Sequence, residues 1–165
     1  MAHAVQSQGM VRWLTVLVLL LVVALLGAVV WKAWPLLFPQ AQQVAQVVPG
    51  CDLHHGPCVA RFDTGGSVTL SITPRPVAML APLALEVRLD GLAAERVELD
   101  FQGREMFMGY NRRQLMTQEP GLYRGEGVLP MCVTDWMTWE ATVLIETDEG
   151  LLAAPFAFVT ERPRP

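Results

Sequence analysis

An uninterrupted apolar run near the N-terminus constrains this chain more than any other feature. Residues 13–31 comprise 19 residues and no charged side chain. As an α-helix, a run of that length extends about 28 Å, the hydrocarbon thickness of a bilayer. It is longer than the apolar part of a typical cleaved signal peptide, and no small-x-small cleavage pattern follows it. The sequence therefore predicts a retained transmembrane anchor over residues 13–34, with tryptophans at both ends, where indole rings favour the headgroup region.

The charge distribution suggests how this anchor is oriented. All 16 acidic residues lie after position 50, together with 10 of the 12 basic ones, so that part of the chain has a net charge of −6. Arg12 and Lys32 flank the apolar run on opposite sides, so the positive-inside rule does not decide the orientation. A short cytoplasmic tail over residues 1–12 and an acidic domain outside the cytoplasm is the simpler arrangement. The acidic balance, without a basic patch, argues against nucleic-acid binding.

The rest of the chain divides into a connector and one domain. Residues 35–50 contain Pro35, Pro39 and Pro49, which limit continuous helix, and we expect a linker there. Residues 51–165 number 115, enough for a single compact core.

The domain shows alternation of apolar and polar residues, which is typical of half-buried strands rather than helices. Dipeptides such as Asp90-Gly91 and Pro120-Gly121 separate the runs, as turns do. We therefore expect a mainly β fold: an antiparallel, immunoglobulin-like β-sandwich of about seven strands behind one transmembrane helix. The predicted strands lie at residues 68–72, 83–89, 97–101, 112–117, 122–129, 137–145 and 156–158.

Motifs for common enzyme chemistry are missing from the sequence. It contains no Walker loop, no Gly-x-Gly-x-x-Gly, no Gly-x-Ser-x-Gly and no His-Glu-x-x-His. The only histidines after the anchor are the adjacent His54 and His55. We therefore expect a protein that is not an enzyme.

Soft metal ligands are unusually frequent in the domain. Thioether and thiolate sulfur, with imidazole, are the natural ligands of Cu(I). In an extended chain Met106 and Met108 would point to the same face, about 7 Å apart. The candidate Cu(I) ligands are Met106, Met108, Met131 and Cys132, with His54 and His55 as weaker candidates. The alternative is packing, because methionine fills irregular gaps in a core; Met137 shares an apolar strand face with Trp139 and is interpreted in that way.

The three cysteines allow more than one pairing. Cys51 and Cys58 would face an oxidising compartment, which favours a disulfide between them over a metal site. Pairing of either one with Cys132 would instead staple the N-terminal segment to the sandwich. One cysteine remains unpaired in any intramolecular scheme, most simply Cys132.

The paired basic residues Arg112 and Arg113 follow a turn at Gly109. They are interpreted first as the solvated start of an edge strand. The alternative is a docking face for an acidic partner.

Two stretches of the domain resemble the YtkA-like and FixH-like proteins. The first runs from Glu119 to Pro130 and contains Pro120-Gly121-Leu122-Tyr123; the second runs from Met137 to Val143 and contains Trp139. The stretch Gly103 to Met108 is similar to the methionine-containing strand of that family, and the likeness extends over residues 67–160. Pro130-Met131-Cys132 and the Cys51–Cys58 loop have no counterpart in the family pattern.

This resemblance implies a domain outside the bacterial inner membrane, held by a single-pass anchor and associated with copper delivery or haem-copper oxidase assembly. Met106 and Met108 are the positions that carry over as candidate ligands. The sequence thus leads to two functional hypotheses. The first is a periplasmic accessory protein that binds or delivers Cu(I) to a membrane oxidase; the second is a metal-free module that docks on a membrane complex.

Overall fold

The computed structural model describes residues 3–37, 41–131 and 134–162, and the helix side chains from residue 12 to 34. The chain forms two compact units, residues 1–40 and 41–165. The first contains α1 (His3–Leu37). Within it, Arg12–Trp34 is 23 residues long and apolar enough to cross a bilayer, about 34 Å at the usual helical rise. None of the side chains of Arg12–Trp34 is buried, and all of them except Ala33 are exposed, as expected of a helix that meets lipid.

The second unit is built from strands. They are β1 (Gln43–Val44), β2 (Gln46–Val47), β3 (Cys58–Arg61), β4 (Ser67–Thr73), β5 (Pro82–Asp90), β6 (Arg96–Gly103), β7 (Arg112–Glu119), β8 (Leu122–Val128), β9 (Trp136–Thr147) and β10 (Gly150–Glu161).

The strands hydrogen-bond in the order β1-β10-β9-β6-β7-β8-β5-β4-β3-β2. Neighbours are antiparallel except β1 and β10. β7 belongs to both layers, since its first half pairs with β6 and its second half pairs with β8. The β1–β2 segment makes the same change of layer at the other margin, pairing with β10 and then with β3. The strands therefore form two facing layers. β7 joins the two layers along one edge, and the β1–β2 segment joins them along the other.

Alternation along the strands produces the core between these layers. In β9, Met137, Trp139, Ala141, Val143 and Ile145 are buried on one face. They pack with the buried faces of the other long strands in one hydrophobic cluster. The indole N–H of Trp139 donates to the Thr160 hydroxyl at 2.9 Å, so the one polar atom of this ring is satisfied inside the core.

The prediction of a mainly β sandwich behind an apolar helix is confirmed, and strands occur at all seven predicted positions. The interpretation of Met137 as core is confirmed as well. Three further strands were not predicted: β1, β2 and β3 are only two to four residues long, too short for periodicity to reveal them.

The predicted boundary between linker and domain differs from the structure. Residues 43–47 were placed in the linker, but they belong to the second unit. The Gln42 N–H donates to Leu151 O at 2.7 Å, and the Ala45 N–H donates to Ala153 O at 2.8 Å. Ala45 is also buried. Pairing with a distant strand, rather than a local pattern, orders this segment.

Candidate functional site

Strand register brings four connections to one end of the sandwich. Gly103 at the end of β6 is paired with Trp139 near the start of β9, and Pro82 at the start of β5 with Val128 at the end of β8. We call this the loop end, formed by residues 51–57, 74–81, 104–111 and 129–135, of which 132 and 133 are not described. The opposite end consists of short turns, and the chain enters the unit there through Gln42.

Hydrogen bonds tie the loops of this end to one another. The Leu80 N–H donates to Leu129 O at 2.9 Å. The Asn111 side-chain amide donates to Val128 O at 3.1 Å. The Arg104 N–H donates to Thr138 O at 2.9 Å. The loop end is therefore a connected surface rather than a set of independent segments.

The predicted disulfide between Cys51 and Cys58 is present, with Cα atoms 5.3 Å apart. It closes a short loop whose Leu53 side chain is fully buried. Two of the three thiols are thereby withdrawn from metal binding. The third candidate, Cys132, lies outside the described residues.

His54 is positioned as a structural bridge. Its Nε2 lies 2.6 Å from Val159 O, and its Nδ1 accepts the Val77 N–H at 3.1 Å. The Val77 N–H needs a lone pair on Nδ1, so in the neutral ring the proton lies on Nε2, which donates it to Val159 O. A metal ion could bind this ring only by displacing one of the two hydrogen bonds.

His55 lies on the surface beside Asp52, with its Nδ1 2.7 Å from Oδ2. The Asp52 carboxylate also accepts the backbone N–H of His54 at 2.9 Å. This backbone hydrogen bond, with a smaller effect from His55, lowers the pKa of Asp52 below its ordinary 3.8. Within the described residues, no three or more His, Cys, Asp or Glu side chains are grouped to hold a metal ion.

Met106 and Met108 lie on the loop between β6 and β7, not on a strand as the sequence suggested. The chain turns back over Gly103, where an added Cβ would lie 2.7 Å from the Met106 carbonyl oxygen. The same point is 2.9 Å from Met137 Cε and 3.1 Å from Met108 Cγ. Met108 is partly buried and packs against the core cluster that includes Met137, while Met106 is more exposed.

Met131 is exposed on the connection between β8 and β9. It follows Leu129, which accepts the hydrogen bond from Leu80. The predicted thioethers Met106, Met108 and Met131 thus occupy two adjoining segments of the same end. Met79 also lies there but is buried in the core.

Glu105 holds the methionine loop against β9. Its Oε2 accepts the Thr138 N–H at 3.0 Å. Hydrogen bonding from Thr138 lowers the pKa of Glu105 below its ordinary 4.5. The carboxylate therefore acts as a loop anchor.

Arg112 and Arg113 have different surroundings. Arg112 is partly buried; its guanidinium lies 3.3 Å from Asp100 Oδ2 and 3.6 Å from Glu98 Oε2. It also sits 5.4 Å from the ring centroid of Tyr110. Arg113 is exposed and forms no ion pair within the described part of the chain. Of the two, Arg113 is the one available to a partner.

Exposed aromatic side chains at the loop end were not predicted as functional. They are Phe107 and Tyr110 on the β6–β7 connection, and Trp136, the first residue of β9 beside this end. The available signal for Phe107 and Tyr110 was their position between predicted strands, where aromatic side chains have no core face to occupy.

The residues quoted for the family resemblance serve mainly the fold. Gly121 has φ +77° in the β7–β8 turn, and a Cβ there would lie 2.8 Å from Leu89 O. Trp139 is core. Comparison with protein-family models, curated proteins and solved structures finds no match for this chain.

Proposed function

We propose that this protein is a membrane-anchored accessory protein whose β-sandwich works in the periplasm, holding Cu(I) through thioether sulfur for a membrane oxidase. It is not an enzyme in this proposal. Arg12–Trp34 would be the single-pass anchor in a bacterial inner membrane. The Cys51–Cys58 disulfide supports an oxidising compartment for the domain.

The observation that carries the proposal is the common location of Met106, Met108 and Met131 on two adjoining segments of the loop end. With Cys51 and Cys58 joined and His54 hydrogen-bonded at both nitrogens, thioether sulfur is the main donor that these described segments offer. Thioethers favour soft Cu(I) over magnesium or calcium, which prefer oxygen ligands.

Weak, soft ligation suits transfer rather than storage. Thioether ligands hold Cu(I) in low coordination, so an incoming thiolate can displace them one at a time. Attachment to the membrane would raise the effective concentration at a membrane target. Residues 119–130 and 137–143 resemble YtkA-like and FixH-like proteins, and this resemblance is the reason for proposing a haem-copper oxidase as that target.

The test is Cu(I) titration of the full chain in detergent, without oxygen and against a competing chelator. The Met106→Leu/Met108→Leu double variant is compared with Met116→Leu, which removes an exposed thioether on β7 away from the loop end. We expect the parent and Met116→Leu to retain one equivalent and the double variant to lose it. No retention by the parent, or equal retention by all three, would contradict the methionine site.

A second candidate function is a metal-free interaction module that docks on a membrane complex. Four sulfur atoms favour this function because each has a structural role. Met79 and Met137 are buried in the core, and Cys51 and Cys58 form the disulfide. Absence of Cu(I) binding in the titration above would make this the leading function.

A further inference from the structure

Methionine side chains at the loop end differ from those in the core beneath it in how far solvent reaches them. Met79 and Met137 are only 4% and 1% exposed, and both lie in the core. Met108 is partly buried against that core. Met106 and Met131 are exposed, by 39% and 55%. Two of the three thioethers proposed as Cu(I) ligands are therefore accessible to a small reagent in solution.

This exposure determines which sulfur atoms an oxidant can reach. A peroxide transfers one oxygen atom to a thioether: the S–O bond forms, the O–O bond breaks, the sulfur gives up two electrons, and the peroxide is reduced to water. The sulfoxide that results is polar. At exposed Met131 water can hydrogen-bond to the new oxygen, whereas at buried Met137 the oxygen would need a partner inside the core. Oxidation of the exposed thioethers should therefore leave the domain folded.

Oxidation removes the property that makes a thioether a ligand for Cu(I). One sulfur lone pair becomes bonded to oxygen, and the group presents a hard oxygen in place of a soft sulfur. Of the three proposed thioethers, Met108 alone would remain. Cys51 and Cys58 could not replace the lost donors, because their sulfur atoms are joined. The folded domain would then have no adequate set of soft ligands among these residues.

The compartment proposed for the domain favours this reaction and allows its reversal. The disulfide supports an oxidising environment, and its two sulfur atoms are no longer thiols that would consume a peroxide. A methionine sulfoxide reductase reverses the reaction: the oxygen leaves as water, and a pair of thiols in the reductase becomes a disulfide.

We propose that Met106 and Met131 are reversible oxidation sites, and that their conversion to sulfoxide by a peroxide abolishes Cu(I) binding while the domain stays folded. The inference rests on the copper function proposed above and adds the regulation of the same site. Exposure of the two ligands is the structural feature that separates loss of binding from loss of the fold.

The experiment treats the copper-free full chain in detergent with hydrogen peroxide and removes the peroxide before any copper is added. Peptide mass mapping locates the added oxygen, thermal unfolding reports the fold, and anaerobic Cu(I) titration against a chelator reports binding. We expect sulfoxide at Met106 and Met131 before Met79, an unchanged unfolding temperature, and loss of the bound equivalent. The two stereospecific methionine sulfoxide reductases should restore binding.

The control is Met116→Leu. Met116 is 64% exposed on β7, away from the loop end, so it should also be oxidised in the parent. If its sulfoxide has no part in the loss of copper, the Met116→Leu protein should lose and regain Cu(I) as the parent does. A Met116→Leu protein that keeps its copper after oxidation would overturn the assignment to the loop end.

The other contrary results are distinguishable. Copper retained after both Met106 and Met131 are oxidised, or lost with oxygen only on Cys132, would refute the oxidation sites and leave the copper function standing. Unfolding on oxidation, or sulfoxide at Met79 as early as at Met131, would contradict the role of exposure. Failure of the untreated protein to bind Cu(I) would refute the proposed function, and its regulation with it.

Discussion

The imidazole of His54 joins the carbonyl of Val159, at 2.6 Å, to the backbone N–H of Val77, at 3.1 Å from its other nitrogen. One ring thus fastens the disulfide loop to β10 and to the 74–81 connection. Its neighbour His55 points to solvent. Two adjacent histidines that look equivalent in the sequence therefore differ in what their removal should do.

Replacement of His54 by Leu should destabilise the domain by about 2 kcal/mol, because it leaves a donor and an acceptor without partners. His54→Gln, which can donate and accept, should lose roughly half as much. Thermal unfolding followed by near-UV circular dichroism measures both, with His55→Leu as a control that should behave like the parent. Equal transition temperatures for all four proteins would show that the bridge contributes nothing.

Acidification should weaken the loop end through Asp52 and Glu105. Both carboxyl groups have a pKa lowered in the folded state from ordinary values of 3.8 and 4.5. Their contribution is therefore fully present above those values and is lost as the pH falls through the lower folded pKa. We expect the transition temperature of the parent to fall below pH about 4.5 more steeply than that of an Asp52→Asn/Glu105→Gln variant. Parallel curves for the two proteins would refute the linkage.

Gly103 has no room for a side chain. Its added Cβ would meet Met106 O, Met137 Cε and Met108 Cγ within 3.1 Å. Gly103→Ala should therefore destabilise the domain by about 1–3 kcal/mol and displace the methionine loop. Gly56→Ala is the matched control, since nothing lies within 4 Å of its Cβ. Denaturant unfolding should separate the two, and a Gly103→Ala protein as stable as Gly56→Ala would contradict the close packing.

Position 80 should accept glycine with less loss of stability than alanine. Its φ of +59° is unfavourable for leucine and accessible to glycine. Leu80→Ala removes the same exposed side chain but keeps a Cβ, so it is the reference. Leu80→Gly should be about 1 kcal/mol more stable than Leu80→Ala by denaturant unfolding. If Leu80→Gly is the less stable of the two, the backbone at this position is not strained.

Prediction from the sequence was strongest where a local pattern repeats. The alternation of Met137 to Ile145 predicted the buried face of β9, and the apolar run predicted the helix. It failed at residues 43–47, whose strands depend on partners about 100 residues away in β10 and on β3. It also considered Met106 and Met108 on one face of an extended chain, as in the methionine-containing strand of the family that residues 103–108 resemble, whereas the chain turns back over Gly103.

The candidate site shows the same division. Residue chemistry alone identified the methionines and the Cys51–Cys58 pair as the notable groups. The surroundings of the histidines and arginines depended instead on contacts between different segments. His54 has its nitrogens occupied because it contacts Val159 and Val77, and Arg112 is held by Asp100 while Arg113 stays exposed.

The sequence by itself determined the apolar helix, the mainly β class and the positions of the long strands, because these follow from hydrophobic periodicity within a few residues. Only the tertiary structure decided that the four connections meet at one end, where they expose Phe107, Tyr110 and Trp136 beside the thioethers. That arrangement arises from strand register and long-range hydrogen bonds. Neither can be predicted from the local pattern of residues, because both depend on segments that are distant in the sequence.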